Sequence, residues 1–252
     1  MTAGTIMLLA LAGVAAGLTG SIAGLASLFS YPALLAVGLP ATAANVTNTV
    51  ALAFSSMGSV AGSQPELVGQ AHRVRRWAPV VVLGGTAGAA LLLLTPPGVF
   101  ERVVPLLVGG ASMVLLVQPR IRAAALRRAP VGDRLPLIGL FLIAGYGGYF
   151  GAAAGVLMLA LVLVTMPLPL LQANALKNVW LGLANGVAAL GFALFGPVEW
   201  AAVPPLAVGL FAGAWAGPAL ARRLPTTALR HGIGLAGLGL AVALAVDAYG
   251  LR

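Results

Sequence analysis

Residues 17–55, which read GLTGSIAGLASLFSYPALLAVGLPATAANVTNTVALAFS, are repeated in outline by residues 148–185, which read GYFGAAAGVLMLALVLVTMPLPLLQANALKNVWLGLAN. Each copy begins with the spacing Gly-x-x-Gly-x-x-x-Gly, passes a Leu-Pro pair and carries an asparagine inside the apolar run that follows. The equivalent positions are Gly20 and Gly151, Gly24 and Gly155, Leu39 and Leu168, Asn48 and Asn178, and Ser55 and Asn185. The separation is 129 to 131 residues throughout, which indicates two copies of one unit.

The similarity extends beyond these two stretches. The spacing Gly-x-x-x-Gly begins at Gly84 and again at Gly213, and a proline followed five residues later by an arginine occurs at Pro97 and at Pro225. All of these pairs come in the same order, at shifts of 128 to 131 residues, so chance is a poor explanation. The sequence predicts a tandem duplication of about 125 residues, and internal repeats are the usual build of secondary transporters.

The composition indicates a membrane protein. Of the 252 residues, 60% are hydrophobic and only 8% are charged, whereas soluble domains carry about 25% charged residues. Glycine (34) and proline (17) are abundant, and lipid-embedded helices tolerate both. The absence of cysteine excludes thiol catalysis, disulfides and cysteine-ligated metals. The net charge of +9 comes from basic clusters between apolar runs, which is typical of cytoplasmic loops and does not indicate a nucleic-acid partner.

Eight apolar stretches are candidates for membrane spans. Two of them, 4–37 and 135–166, are too long for one helix and too short for two spans with a loop, and glycines interrupt both. We therefore expect each of these two to be a broken or re-entrant helical hairpin. The other six have the length of a single span and are 44–62, 77–95, 99–117, 172–195, 200–221 and 227–249.

Clusters of arginine predict how the two halves are oriented. If residues 135–166 enter and leave the membrane on one side, all eleven clustered arginines fall on the cytoplasmic side, as the positive-inside rule prefers, and both termini lie outside. We expect an all-α integral membrane protein of two inverted repeats, 1–117 and 135–252, each a broken hairpin plus three transmembrane helices, with a basic cytoplasmic linker at 118–134. Eight plain crossings are the alternative. The arginines are Arg73, Arg75, Arg76, Arg120, Arg122, Arg127, Arg128, Arg134, Arg222, Arg223 and Arg230.

Two segments resemble a known family. They read YPALLAVGLPATAANVTNTVAL at 31–52 and GYGGYFGAAAGVLMLALVLVTMPLPLLQANALKNVWLGLANG at 145–186. The chain resembles the sulfite exporter TauE/SafE family of bacterial and plant permeases over nearly its whole length. It has fewer glycines in AGLASLFSYP than the family usually has, and it reads NVTNT where the family usually has Thr-Ser. The resemblance implies a multi-pass protein of the bacterial cytoplasmic (inner) membrane that moves sulfite, sulfoacetate, an organosulfonate or a similar small anion.

Four glycines are the first candidates for the anion site: Gly20, Gly24, Gly151 and Gly155. They lie in the two stretches of anomalous length, where a break would expose backbone N–H groups and helix N-termini to an anion near the midplane. The alternative is helix packing by small residues, which is the stronger interpretation for glycines in regular spans.

Asparagines within the apolar runs are the next candidates. An unpaired amide in an apolar medium costs roughly 1–3 kcal/mol, so these side chains need partners. Asn48 and Asn178 occupy equivalent places in the two repeats and rank first, because an amide NH₂ can donate to an oxyanion without a buried cation. The alternative for all these asparagines is hydrogen bonding between helices, and Asn45 and Asn174 could simply cap the helices that follow.

Four more residues complete the candidate site. Lys177, the only lysine, either snorkels to the cytoplasmic interface or supplies positive charge to the anion. Thr49 adds a hydroxyl beside Asn48. Ser55 and Asn185 lie two turns deeper and could line the same path, as could Ser56 next to Ser55.

The leading hypothesis is a secondary transporter that exports small anions by alternating access around a midplane site at the repeat interface. No carboxylate stands in the middle of an apolar run, so obligatory proton coupling has weak support. No catalytic or metal-ligand pattern occurs, and we expect no enzyme activity, no metal and no cofactor. An anion channel and a proton-coupled uptake permease for an organic anion are the alternatives. The bilayer and the anion are the expected partners, and homo-oligomerisation stays open.

Overall fold

The structure is a computed structural model, described for residues 1–126, 134–221 and 227–249. These residues form helices joined by short connections, and none of them forms a strand, so the predicted all-α class is confirmed. The helices are α1 (Ala3–Ala23), α2 (Ser27–Ala36), α3 (Ala41–Gly62), α4 (Gln64–Leu67), α5 (Ala71–Leu94), α6 (Pro97–Leu126), α7 (Arg134–Tyr149), α8 (Ala154–Thr165), α9 (Leu170–Phe195), α10 (Val203–Ala221) and α11 (Thr227–Tyr249).

Both long apolar stretches are broken, as the sequence predicts. α1 ends just before Gly24, which adopts the left-handed conformation with φ of 78°. Between α7 and α8, Gly151 has φ of 77° and Ala153 has φ of 56°. Glycine adopts positive φ without steric cost, so Gly24 and Gly151 stand where a side chain would strain the backbone. The breaks are therefore encoded locally, by glycines at the two turning points.

The breaks divide the two stretches unequally. α1 has 21 residues and is long and apolar enough to cross a membrane by itself, whereas α2 has 10 residues. α3, which is rich in asparagine, threonine and serine, falls short of the hydropathy of a simple span. Within the described residues, five helical segments meet the criteria for a span, which makes this a multi-pass membrane protein. They are Ala3–Ala23, Ala71–Leu94, Pro97–Val114, Leu170–Phe195 and Val203–Leu220.

The helices of the two halves pack against each other in matching pairs. α1 packs on α10, and its counterpart α7 packs on α5, the counterpart of α10. Likewise α3 contacts α10, and its counterpart α9 contacts α5. Two further contacts join a helix to its own counterpart, namely α3 with α9 and α6 with α11. Exchanging the two halves leaves these main pairs unchanged. A duplicated chain folded around a pseudo-twofold axis would give this pattern.

Glycines allow these helix pairs to approach to backbone contact. A Cβ atom at Gly84 or Gly88 would overlap carbonyl oxygens of α7, and one at Gly213 would overlap a carbonyl oxygen of α1. Small residues at such positions are typical of helix packing in membranes, where the hydrophobic effect does not hold helices together. The packing interpretation therefore applies to these glycines of the regular spans.

The arginine clusters can be placed only in part. Arg73, Arg75 and Arg76 lie in the first two turns of α5, and Arg134 begins α7. α6 runs without interruption to Leu126, beyond residue 117. The division of the chain into 1–117, 118–134 and 135–252 stays a prediction. Arg127, Arg128, Asp133, Arg222 and Arg223 lie outside the described residues.

Candidate anion site

A cavity lies where the two helix breaks meet, between α1, α2, α3, α8 and α9. Its volume is about 50 Å³, room for a few water molecules at roughly 10–15 Å³ for each on the same measure. The space is therefore small. Its lining consists of small, hydroxyl and amide residues with two leucines: Gly20, Ser21, Gly24, Ala26, Ser27, Leu52, Ser55, Ser56, Ser59, Gly151, Ala154, Gly155, Asn178, Leu181 and Asn185.

The two breaks cross at Gly24 and Gly155. A Cβ atom added to either glycine would overlap the backbone of the other. These are equivalent positions in the two repeats, 131 residues apart. The two repeats therefore contact each other here through the same glycine of each repeat. Because neither residue has a side chain, the backbone itself forms this part of the cavity wall.

Two helices begin at the cavity. Ala26 and Ser27 at the start of α2, and Ala154 and Gly155 at the start of α8, all line it. Neither helix has a side-chain cap hydrogen bond at its N-terminus. The Leu28 and Ala154 N–H groups donate to the Leu25 and Gly151 carbonyls at 3.1 Å, which leaves the N–H groups of Ser27 and Gly155 without a backbone acceptor among the described residues. The N-terminal end of a helix also carries a partial positive charge. Two uncapped N-termini facing one small space are typical of an anion site.

The C-terminal end of α1 reaches the same place, but side chains of α9 bind its carbonyl groups. Asn174 Nδ2 donates to the Ser21 carbonyl at 2.9 Å. Lys177 Nζ donates to the carbonyls of Gly20 (3.2 Å) and Ser21 (3.4 Å), and its side chain is fully buried. A cation at a helix C-terminus compensates the negative end of the helix dipole. The C-terminal end of α1 is therefore compensated, while the N-termini of α2 and α8 keep their partial positive charge.

The end of α7 is held in a similar way from the other half of the chain. Asn45 Nδ2 on α3 donates to the Tyr149 carbonyl at 2.8 Å, and the Tyr146 hydroxyl donates to the Ala152 carbonyl at 2.7 Å. Neither Asn45 nor Asn174 makes a capping hydrogen bond to its own helix. Each asparagine instead fixes the break that belongs to the other repeat.

Seven of the ten predicted site residues line the cavity: Gly20, Gly24, Ser55, Gly151, Gly155, Asn178 and Asn185. The other three lie behind its wall. Asn48 Nδ2 donates to Ser27 Oγ at 3.3 Å, Thr49 Oγ1 donates to the Asn45 carbonyl at 3.0 Å, and Lys177 contacts the end of α1. Because Ser27 Oγ accepts from Asn48, the Ser27 hydroxyl hydrogen is free to donate to a ligand. Asn48 therefore does not line the cavity and influences it only through its hydrogen bond to Ser27.

Sequence reasoning missed three serines that line the cavity, Ser21, Ser27 and Ser59. Ser21 and Ser27 lie at equal distances on either side of the first break. The second repeat has Ala152 and Met158 at the equivalent positions, so a search for polar residues shared by both repeats passes over these two. Their spacing around the glycine is the signal that could have found them.

The cavity offers neutral donors within a positive field. None of its lining side chains is charged, and Ser55 and Asn185 make no side-chain hydrogen bond to another residue in the described part of the chain. The positive charge of Lys177 lies directly behind the Gly20–Ser21 wall. Where the structure describes the chain, it contains no group of three or more histidine, aspartate or glutamate side chains that could hold a metal.

The fold and the site define a class: a multi-pass membrane protein with broken helices around a small polar cavity, an arrangement that is typical of membrane transporters. The chain belongs to the sulfite exporter TauE/SafE family, whose profile matches residues 9–244. The family identity is thus the one that the sequence resemblance predicted.

Relatives among curated proteins agree with this family. Proteins named "Probable membrane transporter protein YfcA" from Escherichia coli strain K12, E. coli O6:H1 (strain CFT073) and E. coli O157:H7 are each 28% identical over 236 residues. The match covers 93% of this chain and 87% of each relative. No solved structure matches the chain. The protein is therefore a membrane transporter and not an enzyme.

Proposed function

We propose that the protein is a secondary transporter that exports small anions, such as sulfite, sulfoacetate or an organosulfonate, across the bacterial cytoplasmic (inner) membrane. In this proposal the cavity at the crossing of the two breaks is the midplane site, and access alternates between the two sides of the membrane. The family assignment supports transport of a small substrate, and the chemistry of the cavity supports an anion.

The single observation that carries the proposal is the lining of this cavity. The N–H groups at the starts of α2 and α8 that lack a backbone acceptor supply backbone donors, and Ser27 and Asn185 supply side-chain donors. Asn178 adds the amide hydrogen that it does not donate to the Ser21 carbonyl, which lies at 3.5 Å. A sulfite-sized oxyanion accepts hydrogen bonds on several oxygens at once, and bonds to a charged partner are about twice as strong as neutral ones. A cation would meet the positive ends of α2 and α8 and no lining carboxylate.

We further propose that the two repeats are inverted, with the arginine clusters in the cytoplasm and both termini outside. The positive-inside rule supports this orientation. The matched packing of α1 on α10 and of α7 on α5 fits a twofold relation between the halves, and the positive-inside rule is the argument for an axis in the membrane plane.

The proposed direction is outward and needs no coupled ion. An anion that leaves a cell with a negative interior gains about 2.3 kcal/mol per charge for each 100 mV of membrane potential. Proton-coupled uptake would need a titratable group on the path. Of the described acids, Glu66, Glu101, Glu199 and Asp247, none lines the cavity.

Ligand-induced stabilisation of the purified protein tests the anion site. Sulfite, sulfoacetate, other sulfonates and carboxylates would be compared at matched ionic strength by thermal unfolding. A ligand at a hundred times its Kd stabilises by about 2.7 kcal/mol, a rise of about 5–10 °C in Tm for a chain of this size. We expect the sulfur oxyanions to give the largest rise. A panel in which no anion raises Tm would contradict the proposal.

Two substitutions separate binding from folding. Asn185→Leu removes a cavity donor that has no described protein partner, so it should abolish the ligand-induced rise in Tm while leaving the basal Tm nearly unchanged. Asn45→Leu is the matched control, because it breaks the bond to the Tyr149 carbonyl outside the cavity lining. It should lower the basal Tm and leave most of the ligand-induced rise in place.

A further inference from the structure

Lys177 is held only by neutral oxygen atoms. Its Nζ contacts the Gly20 carbonyl at 3.2 Å and the Ser21 carbonyl at 3.4 Å, and within the described residues it contacts no carboxylate. The side chain is fully buried and does not reach the surface of the protein. A lysine that is buried in this way without an acidic partner needs an explanation other than an ion pair.

The oxygens around this ammonium are those that bind a metal cation in other transporters. In secondary transporters, carbonyls at the C-terminal ends of broken helices coordinate the coupling ion, and carbonyl and amide oxygens are hard ligands that suit such cations. Here the last turn of α1 supplies the carbonyls, and Asn174, which binds the Ser21 carbonyl, has a buried Oδ1 without a donor. The ammonium therefore occupies an oxygen-lined position at the end of α1.

We propose that Lys177 is a tethered replacement for a co-transported metal cation. The inference rests on the proposed function. In its protonated form Lys177 compensates the end of α1, so the α1–α2 break keeps its geometry without sodium and the anion moves alone. Lys177 is then a positioning residue, which acts on the cavity through Gly20 and Ser21 and does not bind the anion itself.

The first repeat has no equivalent of this charge. The position equivalent to Lys177 is Thr47, a buried residue whose Oγ1 accepts from the Glu199 backbone N–H at 2.9 Å. The end of α7 is bound by the neutral Asn45 side chain. One fixed positive charge thus lies beside a site for one anion.

The experiment measures Tm of the purified protein in sodium, potassium or choline chloride at one ionic strength, without added substrate. The parent protein should give the same Tm in all three salts. Lys177→Ala vacates the ammonium position and should lower Tm in choline by about 5 °C or more, because the α1 carbonyls lose a charged donor. Sodium should restore part of this loss, since it can occupy the vacated oxygens.

Two further variants control for size and charge. Lys177→Met fills the space without a charge, so it should lose Tm as Lys177→Ala does and show no recovery in sodium. Trp180→Phe alters another fully buried α9 side chain whose Nε1 has no hydrogen-bond partner. It should show the same Tm in all three salts.

A higher Tm of the parent in sodium than in choline would overturn the proposal and requires no variant to fold. An unchanged Tm together with lost anion binding in Lys177→Met would also overturn it, because Lys177 would then be a direct ligand of the anion. The proposed function of the parent protein would stand in that case. If instead no anion binds the parent but the salt pattern is as expected, the proposed function fails and the role of Lys177 at the end of α1 stands.

Discussion

Substitution of Gly155 by alanine tests whether the crossing of the two breaks holds the structure together. The added Cβ would overlap the Gly24 backbone, and Gly24 cannot retreat easily because its own φ is 78°. Overpacking a tight contact costs about 1–3 kcal/mol, and a contact with backbone on both sides belongs at the upper end. At about 2–4 °C per kcal/mol for a chain of this size, Tm should fall by about 6–12 °C.

Gly186→Ala is the matched control for this measurement. Gly186 lies inside α9, and nothing is within 4 Å of the position that an alanine methyl group would occupy there. Replacing a helical glycine by alanine stabilises by up to about 1 kcal/mol. Thermal unfolding in detergent should therefore show a small rise in Tm for Gly186→Ala and a large fall for Gly155→Ala. Equal Tm values for the two variants would refute the reasoning that the two repeats meet at Gly24 and Gly155.

Three other outcomes are expected. Asn174→Ala should lower the free energy of unfolding by about 1–3 kcal/mol in thermal unfolding, because it leaves the Ser21 carbonyl without its shortest hydrogen bond. Ser27→Ala should weaken anion binding about tenfold in calorimetry, and unchanged affinity would mean that the ligand does not meet this hydroxyl. Single cysteines at Thr2 and Arg75 should react with impermeant reagents from outside and from the cytoplasm, respectively, and the reverse would contradict the proposed topology.

The sequence predicts those features of the fold that are determined by residues close together in the chain. The glycines and the anomalous length of 4–37 and 135–166 predict the two breaks, and the structure has them at Gly24 and Gly151. The division of 4–37 into a full span and a short helix was not predictable, because either length of helix is compatible with so uniform an apolar composition.

The remaining features depend on contacts between distant parts of the chain. Asn45 and Asn174 bind carbonyls of the opposite repeat, at separations of 104 and 153 residues, and no local pattern marks such a pairing. Lys177 has a long side chain that could have extended to the interface or into the site. Its direction is decided by where α1 ends, and that becomes known only once α1 is packed beside α9.

Voltage-driven counterflow of labelled sulfite in proteoliposomes tests the central claim most directly. A potassium-diffusion potential, negative inside, would be imposed on vesicles loaded with the anion, at equal pH on both sides. The account predicts saturable efflux that the potential accelerates, with exchange against unlabelled sulfite. Efflux that ignores the potential and follows a proton gradient would contradict an uncoupled carrier with a cavity free of carboxylates, as would current without exchange.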